Sequence, residues 1–394
     1  MKIALITPFL PYQNVPHAGG QFTYQILKYL SQDHKVTLIA RLETNESIQL
    51  HELSEICHQI YPLETSCGSK YPWVFRLKTI FSYFRFFRWI RRVLHQNTFD
   101  LIQFEYSESA FFFRLRSNPK LVLNMHDVVT RRIRLDGDAS CNIVGRTKHF
   151  LAGFGYELME RTAVRKMDHI LVRSVPEKTF VNDHFHGEKV SIIPLIIDED
   201  CDIVRTEPEL PTLLFTGAFN RKYNEQAAIF LIDRIFRALQ SEITEIKLIL
   251  GGNKPGRILY EKSAGSKNIK ITGFIPSLTD LYLTSTVFVS PVFTGGGMIY
   301  KNIEAMNCGL PVITTPKASE GIGGENGKHL IIAEDEHAFC SAIKRVIADQ
   351  SLRSNLGRNG QNLVRDQFNS GLVLKRYANI IASVITPQKG IAND

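Results

Sequence analysis

The sequence lacks any long apolar run. No segment reaches the ~20 consecutive apolar residues that a membrane-spanning helix needs. The first apolar run, Lys2–Thr7, is too short for the core of a signal peptide and is typical of a buried strand. Together these features predict a cytoplasmic protein.

Cysteine motifs and one common glycine motif are also missing. The six cysteines are scattered, and none forms a CxxC pair or a metal-site spacing, so we expect buried thiols in a reducing compartment. The GxGxxG pattern of nicotinamide-binding domains is absent after the first strand. This absence disfavours a nicotinamide-dependent enzyme.

Length and charge are informative in their own right. A chain of 394 residues predicts two domains, and 44% hydrophobic with 22% charged residues is an ordinary globular composition. The formal net charge is +8 and the pI is about 9.1. At this stage the basic balance leaves nucleic acid, acidic lipid and phosphorylated small molecules open as partners.

Strand and helix patterns alternate along the chain, which predicts α/β domains with parallel sheets. The alternation stops in the polar segment Asp198–Pro211 and restarts at Thr212. We therefore predict a Rossmann-like doubly wound domain at 1–197 and a second one at 211–372, facing across a cleft. We expect the helical residues 373–394 to return to the first domain.

The strongest motif is a run of glycines that opens a helix in the second domain. Gly295, Gly296 and Gly297 follow a strand, and Lys301 and Glu304 lie on the helix after them. Glycine lets backbone N–H groups approach a ligand, and a helix N-terminus is partly positive. The pattern favours a seat for a diphosphate or sugar hydroxyls, with Glu304 suited to a ribose diol. An ordinary glycine turn before an exposed Lys–Glu pair remains the alternative.

A second motif places a basic pair after the first strand of the second domain. Arg221 and Lys222 follow the strand Thr212–Thr216 and precede a helix. Ligands of doubly wound folds bind at the carboxyl ends of the strands. The pair is therefore a candidate for binding phosphate, although a solvated charge pair would give the same pattern.

Two weaker motifs lie in the first domain. Gly19 and Gly20 end the predicted loop Pro8–Gly20, and His126 follows the strand Leu121–Met125. A histidine at that position is a candidate to contact the reacting sugar or to move a proton. A tight turn and a structural histidine explain the same residues.

These four motifs, in this order and spacing, resemble the GT-B glycosyltransferases of family 4 over nearly the whole chain. The stretch Lys301–Val312 is similar to the family's K-x-x-E-A-M-x-C-G-x-P-V pattern, and Gly273–Pro276 to its GF-x-P. The resemblance implies a retaining enzyme that uses a nucleotide-diphosphate sugar and needs neither cofactor nor catalytic metal. It also implies a glycan or lipid-linked glycan acceptor, as in the synthesis of cell-surface polysaccharide or glycoconjugate, with transfer of a hexose or N-acetylhexosamine.

The resemblance also assigns residues. Glu304 would bind the ribose, Arg221 or Lys222 the diphosphate, and His126 would sit beside the transferred sugar. Where the usual pattern has a first glutamate, this chain has Gly296. The remaining donor-side candidates are the backbone at the early glycines, the base pocket and the glycine turn: Gly19, Gly20, Phe274, Ile275, Gly296, Gly297, Met298 and Lys301.

Residues 73–94 form a separate basic and aromatic segment with no acidic residue. On a helix, Arg85, Arg88 and Arg92 share one side, and Phe86 and Ile90 the other. This amphipathic pattern is typical of a helix on an anionic membrane surface, which would make the protein peripheral on the inner face of the membrane. Packing of the aromatic side onto the first sheet is the alternative.

Three other functions remain open at the level of sequence. They are a sugar-nucleotide epimerase or phosphorylase of the GT-B fold, a non-catalytic GT-B partner subunit that binds sugar nucleotides, and a nucleic-acid binder. The last is suggested by the pI alone, and no nucleic-acid motif accompanies it, so we predict no nucleic-acid partner.

Overall fold

The computed structural model describes residues 1–13, 15, 17–65, 72–110, 119–138, 143–197, 205–243, 245–295 and 298–386. The chain forms two compact units. The first comprises Met1–Leu195 and the final helix from Val373, and the second comprises Ile196–Leu372. The first half of the predicted linker, residues 198–204, lies outside the described residues.

The first unit is built on a parallel seven-stranded sheet in the order β3-β2-β1-β4-β5-β6-β7. Its central strands are buried on both faces, which explains their nearly continuous apolar sequences. The strands are β1 Lys2–Thr7, β2 Lys35–Leu42, β3 Gln59–Glu64, β4 Leu101–Glu105, β5 Lys120–Asn124, β6 His169–Val172 and β7 Val190–Ile192.

Helices and helical turns connect these strands. They are α1 Ala18–Asp33, the 3-10 segment Thr44–Gln49, α2 Leu50–Ile56, α3 Pro72–Gln96, α4 Ser107–Ala110, α5 Val129–Asp138, α6 Ile143–Val164, α7 Val175–Phe180 and the π-helical turn Val181–Phe185.

The second unit repeats this plan with a parallel six-stranded sheet in the order β10-β9-β8-β11-β12-β13. Its strands are β8 Thr212–Thr216, β9 Lys247–Gly251, β10 Ile269–Ile271, β11 Val287–Ser290, β12 Val312–Thr314 and β13 Ile331–Ile332. The helical elements are α8 Lys222–Phe230, the π-helical turn Leu231–Phe236, α9 Arg237–Glu242, α10 Arg257–Ser263, α11 Thr279–Leu283, α12 Tyr300–Asn307, α13 Pro316–Ser319, α14 Glu336–Ala348, α15 Gln350–Phe368 and α16 Ser370–Ile385.

Both sheets reverse their strand order beside the first strand of the unit. β1 lies between β2 and β4, and β8 lies between β9 and β11. At such a reversal the connections leave on opposite faces and open a crevice at the carboxyl ends of the strands. The doubly wound α/β class expected from the sequence is confirmed, and each unit has one crevice position.

Two boundaries differ from the sequence-based expectation. α1 begins at Ala18, so Gly19 and Gly20 lie in its first turn and do not end the preceding loop. The cause is the N-cap, since His17 accepts a hydrogen bond from Gly20 N–H and starts the helix early. The sequence of Leu363–Ile385 also predicts one helical stretch, but the structure divides it into two helices at Asn369, whose side chain accepts from Gly371 N–H.

The basic aromatic segment, residues 73–94, forms almost all of the 25-residue helix α3. Phe86, Ile90 and Leu94 are buried in the core of the first unit, so this apolar side packs onto the sheet. Arg85 and Arg88 are exposed on the other side. Over the described residues, no helix combines the length and apolar character that would let it cross a bilayer.

Candidate functional site

The glycine segment of the second unit leads into α12 at the carboxyl edge of the sheet, after β11. Gly295 has a φ of 109°, a left-handed backbone that favours glycine. Gly296 and Gly297 lie outside the described residues, and Met298 is half-buried. The helix begins at Tyr300, and its N-cap Ile299 makes no side-chain hydrogen bond.

Lys301, in the first turn of α12, is half-buried and has no carboxylate partner among the described residues. Its Nζ donates to Asn224 Oδ1 at 2.5 Å and lies 4.3 Å from the centre of the Phe215 ring. Burial, reinforced by the nearby Arg221 and opposed by Glu304, lowers the pKa of Lys301 to about 7. An ammonium held against an amide and an aromatic ring is suited to an anionic ligand.

Glu304 lies one turn further along α12 and is also half-buried. Tyr282 O–H donates to Glu304 Oε2 at 3.2 Å, and Thr216 Oγ1 lies 2.9 Å from the Tyr282 hydroxyl. Because that hydroxyl has a single proton, Thr216 is the donor in the second contact. Burial raises the pKa of Glu304, and Tyr282 and Lys301 oppose the rise. One carboxylate oxygen is left able to accept from a ligand diol.

The basic pair lies at the start of α8, in the position the sequence indicated. Arg221 is the N-cap and Lys222 the first helical residue, and both are exposed. The Arg221 guanidinium donates to the Tyr223 hydroxyl at 3.1 Å, and neither basic residue forms an ion pair with a described carboxylate. Two cations at a helix N-terminus attract an anion.

Gly217, after β8, brings these groups together. A Cβ at this position would lie 2.8 Å from Lys301 Nζ and 2.9 Å from Asn224 Nδ2. The close approach therefore requires a residue without a side chain. Lys301, Glu304 and Arg221, which the motifs assigned to one site, lie close enough to influence one another's charge. The motifs gave no indication of Asn224, which accepts from Lys301, or of Tyr282, which donates to Glu304.

Phe274 and Ile275 lie elsewhere on the same edge, after β10. Gly273 has a φ of 68°, and Phe274 after it is 74% exposed, whereas Ile275 is half-buried. β10 is the outer strand, two positions from β8, so these residues form the far end of the candidate site. An exposed aromatic ring there offers a flat apolar surface.

The carboxyl edge of the first unit places His126 in a buried polar network. His126 Nε2 lies 2.5 Å from Glu105 Oε2, and Nδ1 lies 3.0 Å from Arg173 Nη2. Burial and Arg173 lower the pKa of His126 to about 4, against the opposing effect of Glu105. The ring is therefore a neutral imidazole at neutral pH.

The early glycines lie beside this network. A Cβ at Gly19 would collide with the Tyr106 hydroxyl and would lie 3.2 Å from His126 Nδ1. Gly20 N–H donates to His17 Nδ1 at 2.9 Å and is thus already engaged. Gly19 and His126 lie together at the carboxyl edge of the first sheet. The sequence motifs did not include Glu105, Tyr106 and Arg173, which contact His126. The signal available was a charged or polar residue at the end of an apolar strand.

Two family models match separate parts of the chain and together cover both units. Residues 19–200 match the model described as Glycosyltransferase Family 4, and residues 210–349 match Glycosyl transferases group 1. The chain belongs to glycosyltransferase family 4.

Relatives of this family 4 glycosyltransferase include an uncharacterized glycosyltransferase of Methanocaldococcus jannaschii, 23% identical over 98% of this chain and 99% of that protein. A capsular polysaccharide biosynthesis glycosyltransferase of Staphylococcus aureus, CapM, is 25% identical over 39% of this chain. The match spans 42% of the Staphylococcus protein, less than half of its length.

Solved structures share the GT-B fold. Sucrose-phosphate synthase from Thermosynechococcus elongatus superimposes with a TM-score of 0.72 at 18% identity, over 97% of this chain and 98% of that one. An Anabaena protein, HepE, solved in complex with UDP-glucose, gives 0.69 at 14% identity, over 97% of this chain and 100% of that one.

Proposed function

We propose that this family 4 glycosyltransferase transfers a hexose or N-acetylhexosamine, with retention and without a catalytic metal, from a nucleotide-diphosphate sugar to a glycan or lipid-linked glycan acceptor. The observation that carries the proposal is the pair Lys301 and Glu304 on α12. Among the described residues, Lys301 has no carboxylate partner and Glu304 has one oxygen without a donor, and the two side chains lie one turn apart at the carboxyl edge.

The pair matches the two polar parts of a nucleoside diphosphate. Glu304 accepts from the ribose hydroxyls, while Lys301, Arg221 and Lys222 compensate the charge of the diphosphate. Charge builds up on the departing diphosphate in the transition state, and fixed cations stabilise it most at that point. The α8 N-terminus adds a further positive end.

We assign the remaining groups that would contact the donor and the acceptor from the family pattern. Phe274 and Ile275 provide the apolar surface for the base. From the family pattern we also assign Gly296, Gly297 and Met298 to the sugar hydroxyls and the backbone at Gly19 and Gly20 to the phosphates. The first unit, with His126, binds the acceptor side.

The names of two similar proteins support a particular pathway class and donor. CapM is a protein of capsular polysaccharide synthesis, and HepE was solved with UDP-glucose. Their names support synthesis of cell-surface polysaccharide or glycoconjugate and a UDP-sugar as the first donor to test.

A lipid-linked acceptor would bring the protein to a membrane surface, and we propose α3 as its contact. Because the apolar side of α3 packs in the core, the contact is limited to its exposed basic side and to Phe81 and Phe84, which are 64% and 57% exposed. Exposed arginines are attracted to anionic lipid, and single aromatic rings enter the interface. Co-sedimentation with phosphatidylglycerol vesicles that survives Arg85→Glu, Arg88→Glu and Arg92→Glu together would contradict this contact.

The donor assignment is tested with a panel of UDP- and GDP-sugars, by thermal shift and by release of nucleoside diphosphate. One nucleotide class should raise the melting temperature, and Glu304→Ala and Lys222→Ala should each slow nucleotide release by tens-fold or more. Glu261→Ala is the matched control, since Glu261 pairs with Arg257 on the exposed surface of α10. Wild-type rates in both site variants would overturn the assignment. Binding without any turnover would point to a non-catalytic partner subunit.

A further inference from the structure

Glu105 is the centre of the buried network at the carboxyl edge of the first sheet. Its Oε1 accepts from Gln103 Nε2 at 2.6 Å, and its Oε2 lies 2.8 Å from Asn124 Nδ2 and 2.5 Å from His126 Nε2. Thr23 Oγ1 lies 3.2 Å from Oε2, but its single proton is donated to Gly19 O at 2.8 Å. Burial alone would raise the pKa of Glu105, but His126, Gln103 and Arg173 bring it below its ordinary value. The carboxylate is therefore ionised and fully engaged.

Arg173 fixes the other side of the imidazole. Its Nη1 donates to Ile193 O at 2.9 Å, and its Nη2 reaches Asn124 Oδ1 at 2.9 Å and His126 Nδ1 at 3.0 Å. A guanidinium has N–H groups only, so His126 Nδ1 must be the acceptor. The proton of the neutral ring then lies on Nε2 and is donated to Glu105. Neither ring nitrogen is left to take or give a proton.

Tyr106 covers the face of this locked imidazole. The two rings stack with centroids 4.4 Å apart and planes 14° apart. Tyr106 has a φ of 66°, one of three left-handed non-glycine residues among the described positions. Such a conformation is unfavourable for a bulky residue and persists only where the surroundings enforce it.

The Tyr106 side chain also has an unused hydrogen-bonding group. Its hydroxyl packs over the backbone of Gly19, and none of the described residues hydrogen-bonds to it. Tyr106 is half-buried, and its hydroxyl oxygen keeps some contact with solvent at the carboxyl edge. It is the polar group that the network leaves for a ligand.

We propose that Glu105 and Arg173 are positioning residues that hold His126 as a neutral imidazole with its proton on Nε2, and that this ring supports Tyr106, whose hydroxyl binds a substrate hydroxyl or phosphate oxygen. His126 itself carries no proton transfer. The proposal rests on the proposed function for its substrate, whereas the state of the imidazole does not depend on any reaction.

The state of the imidazole is tested on the full chain without substrate. Nitrogen-15 NMR of the histidine rings, with His126 assigned by its loss in His126→Asn, should give an unprotonated Nδ1 and a protonated Nε2 from about pH 8 to about pH 5.5. The charged groups around the ring are Glu105 from β4, Arg173 after β6 and His17 before α1. Protonation of His126 above about pH 6, or a proton on Nδ1, would overturn the proposal.

The role of Tyr106 is tested with Tyr106→Phe, which keeps the stacked ring and removes only the hydroxyl. Release of UDP from UDP-glucose, or from the panel donor that the wild type uses, should fall about three- to tenfold, the usual effect of one lost neutral hydrogen bond. Tyr61→Phe is the control, since Tyr61 lies on the outer strand β3 and accepts from Asn97. It should react at the wild-type rate.

The outcomes separate the two proposals. A Tyr106→Phe enzyme as fast as the wild type overturns the inference and leaves the proposed function intact. A wild-type protein that releases nucleotide from no donor overturns the proposed function, and the NMR result then decides the inference about His126.

Discussion

The carboxyl edges of the two sheets contain similar polar groups, but these groups differ in how many hydrogen bonds they form within the protein. In the first unit, Glu105 has three donors, and both nitrogens of His126 are engaged inside the protein. In the second unit, the described contacts of the Lys301 ammonium are a neutral amide and an aromatic ring, and the described hydrogen bond of Glu304 comes from one hydroxyl.

This difference appears in the pKa values as well. The pKa of Glu105 lies below its ordinary value, because the donors around it outweigh its burial. The pKa of Glu304 lies above its ordinary value, because burial dominates and fewer groups oppose it. A saturated edge gives rigidity before any ligand arrives, whereas an unsaturated edge gains its missing partners from the ligand.

The largest expected effect is on stability, from Glu105→Leu. The change removes the carboxylate that most favours the charged form of the buried Arg173, and Glu177 is the other one. It also leaves the buried donors of Gln103, Asn124 and His126 without their acceptor, so the free energy of unfolding should fall by about 3–5 kcal/mol. Because the folded pKa of Glu105 is depressed, its contribution is present at neutral pH and is lost as the pH falls through that value. Urea denaturation measures the effect, with Glu261→Leu as a surface control expected to change less than about 0.5 kcal/mol. Equal stability of Glu105→Leu and the wild type would remove the contrast between the edges.

The second effect is on activity, from Lys301→Met. Losing a cation that faces the diphosphate should slow transfer on the order of 100-fold. The melting temperature should stay the same or rise, since the ammonium is desolvated without a carboxylate partner and Met has a similar shape. Lys344→Met, which removes an exposed partner of Glu242, is the control for both measurements. A marked loss of stability would show that Lys301 is a structural residue.

Two glycine substitutions compare the rigidity of the edges. In Gly19→Ala the new methyl meets the Tyr106 hydroxyl, whose ring is stacked on the fixed imidazole of His126, so the free energy of unfolding should fall by about 1–3 kcal/mol. In Gly217→Ala the methyl meets the flexible end of Lys301, so stability should change little while donor binding weakens several-fold. Thermal melts and donor titrations distinguish the two responses, and an identical response at both positions would contradict the contrast.

The smallest effect is a pH dependence of donor binding. The folded pKa of Lys301 is about 7, so the ammonium is lost as the pH rises through that value. A bound diphosphate needs the charged form, and its Kd should therefore rise about tenfold between about pH 6 and about pH 8. Calorimetry with UDP, or with the nucleotide that the panel selects, measures it. The same titration in Lys301→Met should be much flatter, and an equally steep profile would assign the titration to another group.

Much of the fold was predictable because its signals are local. Strands such as Thr212–Thr216 and Ile269–Ile271 have the limits that their apolar runs predicted. The buried side of α1 is the one indicated by its spacing of Phe22, Ile26 and Leu30. Where α1 begins was less predictable, because a histidine cap at residue 17 is an unusual start signal.

The candidate site was predictable only in part. The motifs placed Lys301 and Glu304 on one helix after the glycines and Arg221 after the first strand of the second domain. The family pattern then assigned their roles. On sequence evidence alone the pair was equally consistent with an exposed ion pair. Burial and the partner residues decided between these interpretations.

The sequence by itself determined the alternation of strands and helices, the two-unit division and the order of the motifs, since these depend on residues close together in the chain. Only the tertiary structure decided the partners. Asn224 lies 77 residues before Lys301, and Arg173 lies 47 residues after His126. Such contacts exist because the order of strands in a parallel sheet brings distant carboxyl ends to one edge, and local sequence does not encode that order.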